Sequence, residues 1–289
     1  MSGGPRRLRF RTDDGLVLVA EAWGDPTHPC VLFQHGGGQT RHAWKGAAEA
    51  LARSGWHTVS LDLRGHGESD WSEEGAYELD RYARDTVCVA RELGRPPVLV
   101  GASLGGLSGL LASAATGSCA LAALVLVDVT PRMKPEGVEK VIGFMGARME
   151  EGFASLEEAA ELIAAYLPHR PRPPSVEGLR KNLRRDADGR YRWHWDPRFV
   201  TTRRGSRVLT HQKDLLEAAR QLTIPSLLVR GRMSELVSEE LAREFLALVP
   251  HAEYVDVSDA GHMVAGDRND AFTAAVADFL ERLRPDLSP

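Results

Sequence analysis

Three short stretches of the chain carry residue types and spacings that suit nucleophilic chemistry. Gly101-Ala102-Ser103-Leu104-Gly105-Gly106 sets a serine between glycines two residues away on either side, after an apolar run and before a helical pattern of small residues. A strand that turns through G-x-S-x-G into a helix bends sharply, and only small neighbours leave room for the bend. The turn lifts the Ser103 hydroxyl into the open. The helix that starts there points its first N–H groups at developing negative charge.

Upstream, Val31 to Gln34 runs into His35-Gly36-Gly37-Gly38. The bare backbone of such a loop can approach a substrate oxygen, so the N–H of Gly37 (or Gly38) with that of Leu104 would form an oxyanion hole. No G-K-[ST] follows these glycines and no G-x-G-x-x-G opens the first strand, which speaks against a nucleotide site. Near the C-terminus, Tyr254 to Val257 leads into Ser258-Asp259-Ala260-Gly261-His262-Met263. A histidine on a glycine-softened loop at a strand's carboxyl end is placed to act as base toward Ser103.

Positioning these groups needs a scaffold, and the pattern supplies one. Apolar, β-branched runs recur at Val17 to Trp23, Cys30 to Gln34, Thr58 to Asp62, Val98 to Gly101, Ala123 to Asp128, Ser226 to Arg230 and Tyr254 to Val257. Helical patterns lie between most of them, over His42 to Arg53, Leu79 to Leu93, Leu104 to Ala115, Glu239 to Leu248 and Ala271 to Leu283. Near-continuous apolar strands alternating with helices predict a mostly parallel sheet covered on both faces.

From about Pro131 to Leu222 the alternation breaks. Helical patterns at Gly137 to Met149 and Ser155 to Leu167 appear with no clear core strand. The proline-rich His169 to Pro174 and the aromatic run Tyr191-Arg192-Trp193-His194-Trp195 suit loops over a cavity. The division expected is a core of residues 1–130 and 223–289 with a cap of residues 131–222 above the strand ends.

The bulk composition narrows the class. A chain of 289 residues suits one large domain, or one with a smaller insertion, and 43% hydrophobic with 26% charged residues is ordinary for a globular protein. A formal net charge of -4 gives no drive toward nucleic acid. The three cysteines, Cys30, Cys88 and Cys119, are odd in number and widely spaced, and indicate neither a disulfide framework nor a zinc site. Met1 to Arg11 lacks the apolar run of a secretory signal, and no stretch suits a bilayer span. The expected location is the cytoplasm.

With these residues in view, the chain resembles the capped α/β-hydrolase superfamily of serine esterase type over essentially its whole length. His35-Gly36-Gly37 is similar to the family's oxyanion loop, Asp62-Leu63-Arg64-Gly65-His66-Gly67-Glu68-Ser69 to its D-x-R-G-x-G-x-S turn, and Ser103 and His262 to its nucleophile and base. The resemblance implies a mostly parallel eight-stranded sheet and a structural role for Arg64 to Ser69. It departs at the third triad member. Where many relatives carry an acid, in G-x-x-D-x-x-V-P, this chain has Ser234, with Glu235 one step later. Some relatives use the end of the preceding strand instead, which here supplies Asp128. Both keep the order Ser, acid, His, and both candidates stay open.

The implied reaction is attack of Ser103 on an acyl carbonyl, then hydrolysis of the acyl-enzyme with His262 as base, needing no metal or organic cofactor. The expected partner is a small-molecule substrate with an acyl group; no oligomeric state follows. Trp44, Met145, Met149, Phe153, Trp193, Trp195 and Phe199 are candidates to line an apolar pocket beside Gly38. The arginines between Arg170 and Arg207, among them Arg184, Arg185, Arg203 and Arg204, read as a solvated surface. The fold also hosts lactonases, C–C bond hydrolases of aromatic breakdown, cofactor-free perhydrolases and small-molecule receptors. Ester hydrolysis is the default.

Overall fold

The computed structural model describes residues 4–115, 120–168, 170, 175–201, 211–267 and 269–287. In chain order its strands are β1 (Arg6–Arg11), β2 (Val17–Trp23), β3 (Cys30–Gln34), β4 (His57–Leu61), β5 (Val98–Ala102), β6 (Ala123–Val127), β7 (Leu183–Arg185), β8 (Tyr191–Trp193), β9 (Ser226–Gly231) and β10 (Glu253–Val257). Eight of them form one sheet in the order β1-β2-β4-β3-β5-β6-β9-β10. β1 pairs antiparallel with β2, and β2 with β4. The other neighbours run parallel.

The inner strands β3, β4, β6 and β9 are buried from end to end, as sheets covered on both faces require. Alternate residues of one strand feed different layers: Leu32, Leu99, Leu124 and Leu228 enter one apolar cluster, Val31, Val98, Val125 and Val229 the other. The first layer includes α2 (Leu79–Glu92) and α3 (Leu104–Ala115), the second α1 (Lys45–Arg53) and the C-terminal helix Asn269–Leu287. Register makes the strand ends level, with Gln34 opposite Gly101, Ala102 opposite Val127, and Val127 opposite Val229. Residues just beyond those ends therefore emerge side by side.

β1 is an element the sequence pattern did not show. Its four arginines, Arg6, Arg7, Arg9 and Arg11, hide a period-two strand in which Phe10 is buried. Charge on an edge strand is how sheets discourage further pairing.

Between β6 and β9 the described part of the chain adds no strand to this sheet. It forms α4 (Pro135–Gly146), α5 (Leu156–Tyr166), a 3-10 turn at Glu177–Lys181, the antiparallel β7–β8 hairpin, α6 (Pro197–Thr201) and α7 (Gln212–Arg220). The stretch Tyr191 to Trp193, expected as loop, is thus a strand, paired within the insertion. α7 buries Leu215, Ala218 and Ala219 and packs against α3 and α8 (Glu239–Leu248), so it lies with the helices covering the sheet. His169, the prolines of 171–174, Arg203, Arg204 and Cys119 lie outside the described residues.

The insertion is fastened to the core at the Arg64 to Ser69 turn. The Asp196 N–H donates to the Gly65 carbonyl at 2.9 Å, the Gly67 N–H donates to His194 Nδ1 at 2.6 Å, and the Tyr77 hydroxyl donates to Asp196 at 2.6 Å. Arg64 itself is fully buried, with bonds of 2.6 Å from Nε and Nη2 to Asp85. A buried fork of this kind keeps its turn in one conformation, because breaking it leaves a charge unpaired in the interior.

Candidate active site

Ser103 follows β5 with φ at 46°, in the left-handed region that a side chain adopts only when its surroundings hold it there. The glycines around it are dictated by contact. A Cβ on Gly101 would stand 2.5 Å from the Gly105 carbonyl carbon, one on Gly105 2.5 Å from the Gln34 oxygen, and one on Gly106 2.7 Å from the Gly101 oxygen. β5, α3 and β3 meet too closely here for any side chain. That crowding is what forces Ser103 outward at the head of α3.

Asp128 stands at the end of the adjacent strand, also with positive φ, at 48°, and is fully buried. Its Oδ2 accepts from His262 Nδ1 at 2.8 Å and from the Ser234 hydroxyl at 2.6 Å, while Oδ1 accepts the Gly231 N–H at 3.0 Å. A carboxylate can only accept, so Nδ1 carries the proton, and in the neutral ring the lone pair is at Nε2. Glu235, the other candidate, is elsewhere. Its side chain is 35% exposed and accepts from Lys140 Nζ at 2.7 Å.

The glycine loop after β3 is held by imidazoles. His35 Nδ1 bonds the Gly36 carbonyl at 2.8 Å and its Nε2 accepts the Leu63 N–H at 3.0 Å. His66 Nδ1 bonds the Arg64 carbonyl at 2.9 Å, and its Nε2 accepts the Gly38 N–H at 3.1 Å. The Gly36 N–H goes to Gln39 Oε1 at 2.9 Å. Gly38 is thus engaged, whereas the N–H groups of Gly37 and Leu104 make no hydrogen bond among the described residues. Burial holds His35 below the ordinary histidine range and His194 down at about 3, so both stay neutral acceptors.

Ser103, Leu104, His262, Gly37 and Gly38 open onto one cavity of about 460 Å³. Trp44, Met145, Trp193, Trp195 and Phe199 line it as well. Met149 and Phe153 do not; Phe153 sits behind, edge-on to Trp193 with ring centroids 5.1 Å apart. The wall sequence reasoning missed is Val138, Val141, Ile142 and Ile163, from the inward faces of α4 and α5. Their spacing, 138, 141, 142 and 145 with Met145, is the signal that was available. Among the described residues no trio of His, Cys, Asp or Glu is grouped to hold a metal ion, and no helix is long and apolar enough to cross a membrane.

A family model described as the alpha/beta hydrolase fold matches residues 29–268. The chain belongs to the α/β-hydrolase family. This α/β hydrolase is 31% identical over 271 residues to an esterase of Mycobacterium tuberculosis, across 92% of this chain and 87% of that protein. It is 29% identical over 278 residues to a 3-hydroxybutyrate-oligomer hydrolase of Cupriavidus necator, across 91% and 93%. A crystal structure of an α/β hydrolase from Novosphingobium aromaticivorans superposes with a TM-score of 0.82 at 26% identity, covering 97% of this chain and 99% of that one.

Proposed function

We propose that this α/β hydrolase cleaves carboxylic esters of small molecules through Ser103, His262 and Asp128. The observation that carries the reading is the 2.8 Å bond between His262 Nδ1 and Asp128 Oδ2, on a histidine that shares its cavity with Ser103. That bond fixes the tautomer whose Nε2 can take the serine proton and steadies the imidazolium that results. The esterase and hydrolase relatives point the same way.

In the first half-reaction Ser103 Oγ attacks the acyl carbonyl as its proton passes to His262 Nε2. The oxyanion is received by the N–H groups of Gly37 and Leu104, each such donor being worth about 3 kcal/mol in the transition state. His262 returns the proton to the departing alcohol. Water then attacks the acyl-serine with His262 again as base, releasing the acid and Ser103. We place the acyl or alkyl part of the substrate against Met145, Trp193 and Trp195, with Gly38 and Trp44 beside the reacting carbonyl. Residues 131–201 serve as the cap, and α7 belongs with the core.

The test is hydrolysis of p-nitrophenyl esters, from acetate through longer acyl chains, by wild type and by Ser103→Ala. Repeated turnover by wild type alone supports the reading. A variant as active as wild type overturns the choice of nucleophile. A wild type inert on every ester but active on a vinylogous diketone moves the protein to C–C bond hydrolysis.

A further inference from the structure

Ser234 is 8% exposed, and its hydroxyl makes three contacts at once. The oxygen accepts the N–H groups of Leu236 at 3.1 Å and Val237 at 3.0 Å, and the proton goes to Asp128 Oδ2 at 2.6 Å. Two backbone donors occupy the lone pairs, so the hydroxyl hydrogen has one destination. It meets the same carboxylate oxygen that binds His262 Nδ1.

We infer that Ser234 is a positioning residue for Asp128. The inference rests on the serine-hydrolase reading above. The Ser234 hydroxyl withdraws charge from Asp128 Oδ2 and, with the Gly231 N–H on Oδ1, holds the carboxylate plane toward the histidine. Removing it leaves that oxygen to His262 alone, which makes the carboxylate more basic and stabilises the imidazolium.

The experiment measures the rate at which a fluorophosphonate probe labels Ser103, located by mass spectrometry, across a range of pH. The probe depends on the activated serine and not on knowing the natural ester. Ser234→Ala should label about tenfold more slowly, with the acid limb of the profile moved to higher pH, and Ser234→Thr should restore both. Thermal melts confirm that each variant is folded. An unmoved acid limb in Ser234→Ala, or a folded Ser234→Thr no faster than Ser234→Ala, overturns the positioning role. A wild type that fails to label at Ser103 overturns the serine-hydrolase reading itself, and the inference with it.

Discussion

The Gly38 N–H and His66 Nε2 meet at 3.1 Å, and this bond ties the loop carrying Gly37 to the turn on which the insertion rests. His66 also stands edge-on to Phe199, with ring centroids 4.7 Å apart, and Phe199 in turn lies 3.1 Å from where a Cβ of Gly37 would be. An oxyanion donor works only if it is already aimed when charge develops. His66→Ala should therefore lower kcat about tenfold while KM stays within about twofold. His66→Gln, whose amide oxygen can take the Nε2 place, should recover most of that. Equal rises in KM and falls in kcat for both variants would place His66 in substrate binding instead.

The two acids separate cleanly by mutation. Asp128→Asn preserves shape but disturbs the tautomer of His262, and kcat should fall by about a thousandfold to ten-thousandfold. Glu235→Gln breaks only a surface pair with Lys140 and should leave kcat within about twofold. Steady-state kinetics on one p-nitrophenyl ester reads both, and a reversed order would transfer the acid to Glu235.

Met145 lines the cavity and its Cε comes within 3.0 Å of a Cβ placed on Gly38. Met145→Ala deepens the pocket, so the preferred acyl chain should lengthen by about two or three carbons, the length of the deleted side chain. The melting temperature should fall as well, since removing a buried methionine costs about 2 kcal/mol or more. An unchanged chain-length profile would mean that the acyl group lies elsewhere.

Stability should decline on mild acidification. Folded His194 titrates at about 3, chiefly because it is buried, whereas the unfolded chain's histidine titrates near 6.5. Below about 6.5 the unfolded state binds the extra proton. The contribution of His194 is complete above that pH and is lost as pH falls, by up to about 1.4 kcal/mol per pH unit. His35, depressed in the same direction by burial, adds to the slope. Urea midpoints between pH 7 and 4.5 should show the decline, and His194→Asn, which keeps an acceptor for Gly67, should flatten it. An identical slope in that variant would remove His194 from the account.

The parallel strands could be read from sequence because burial on both faces leaves runs such as Cys30–Gln34 and Ala123–Val127 almost wholly apolar. The Ser103 turn was legible because the crowding that demands its glycines is local. The choice of acid was not. Asp128 and Glu235 each follow a strand, and what distinguishes them is that β6 lies beside β9, which brings the Gly231 N–H and Ser234 onto Asp128. Ser234 stands where relatives carry an acid; in space its hydroxyl touches Asp128, the acid proposed above. His66 and His194 bind partners 28 and 127 residues away, beyond any periodicity.

The bonds from Gly65 and Gly67 to Asp196 and His194 divide the insertion into two parts with different freedom to vary. Along α4 and α5 a substitution at the cavity wall reshapes the cavity, at a cost in stability where the side chain is buried, as at Met145. Along 194–199 the same substitution disturbs the turn that steadies the glycine loop, and so reaches the chemistry. On the proposed reading, the first part of the insertion is free to follow a change of substrate, while the second is held to its present form by the bonds at Gly65 and Gly67.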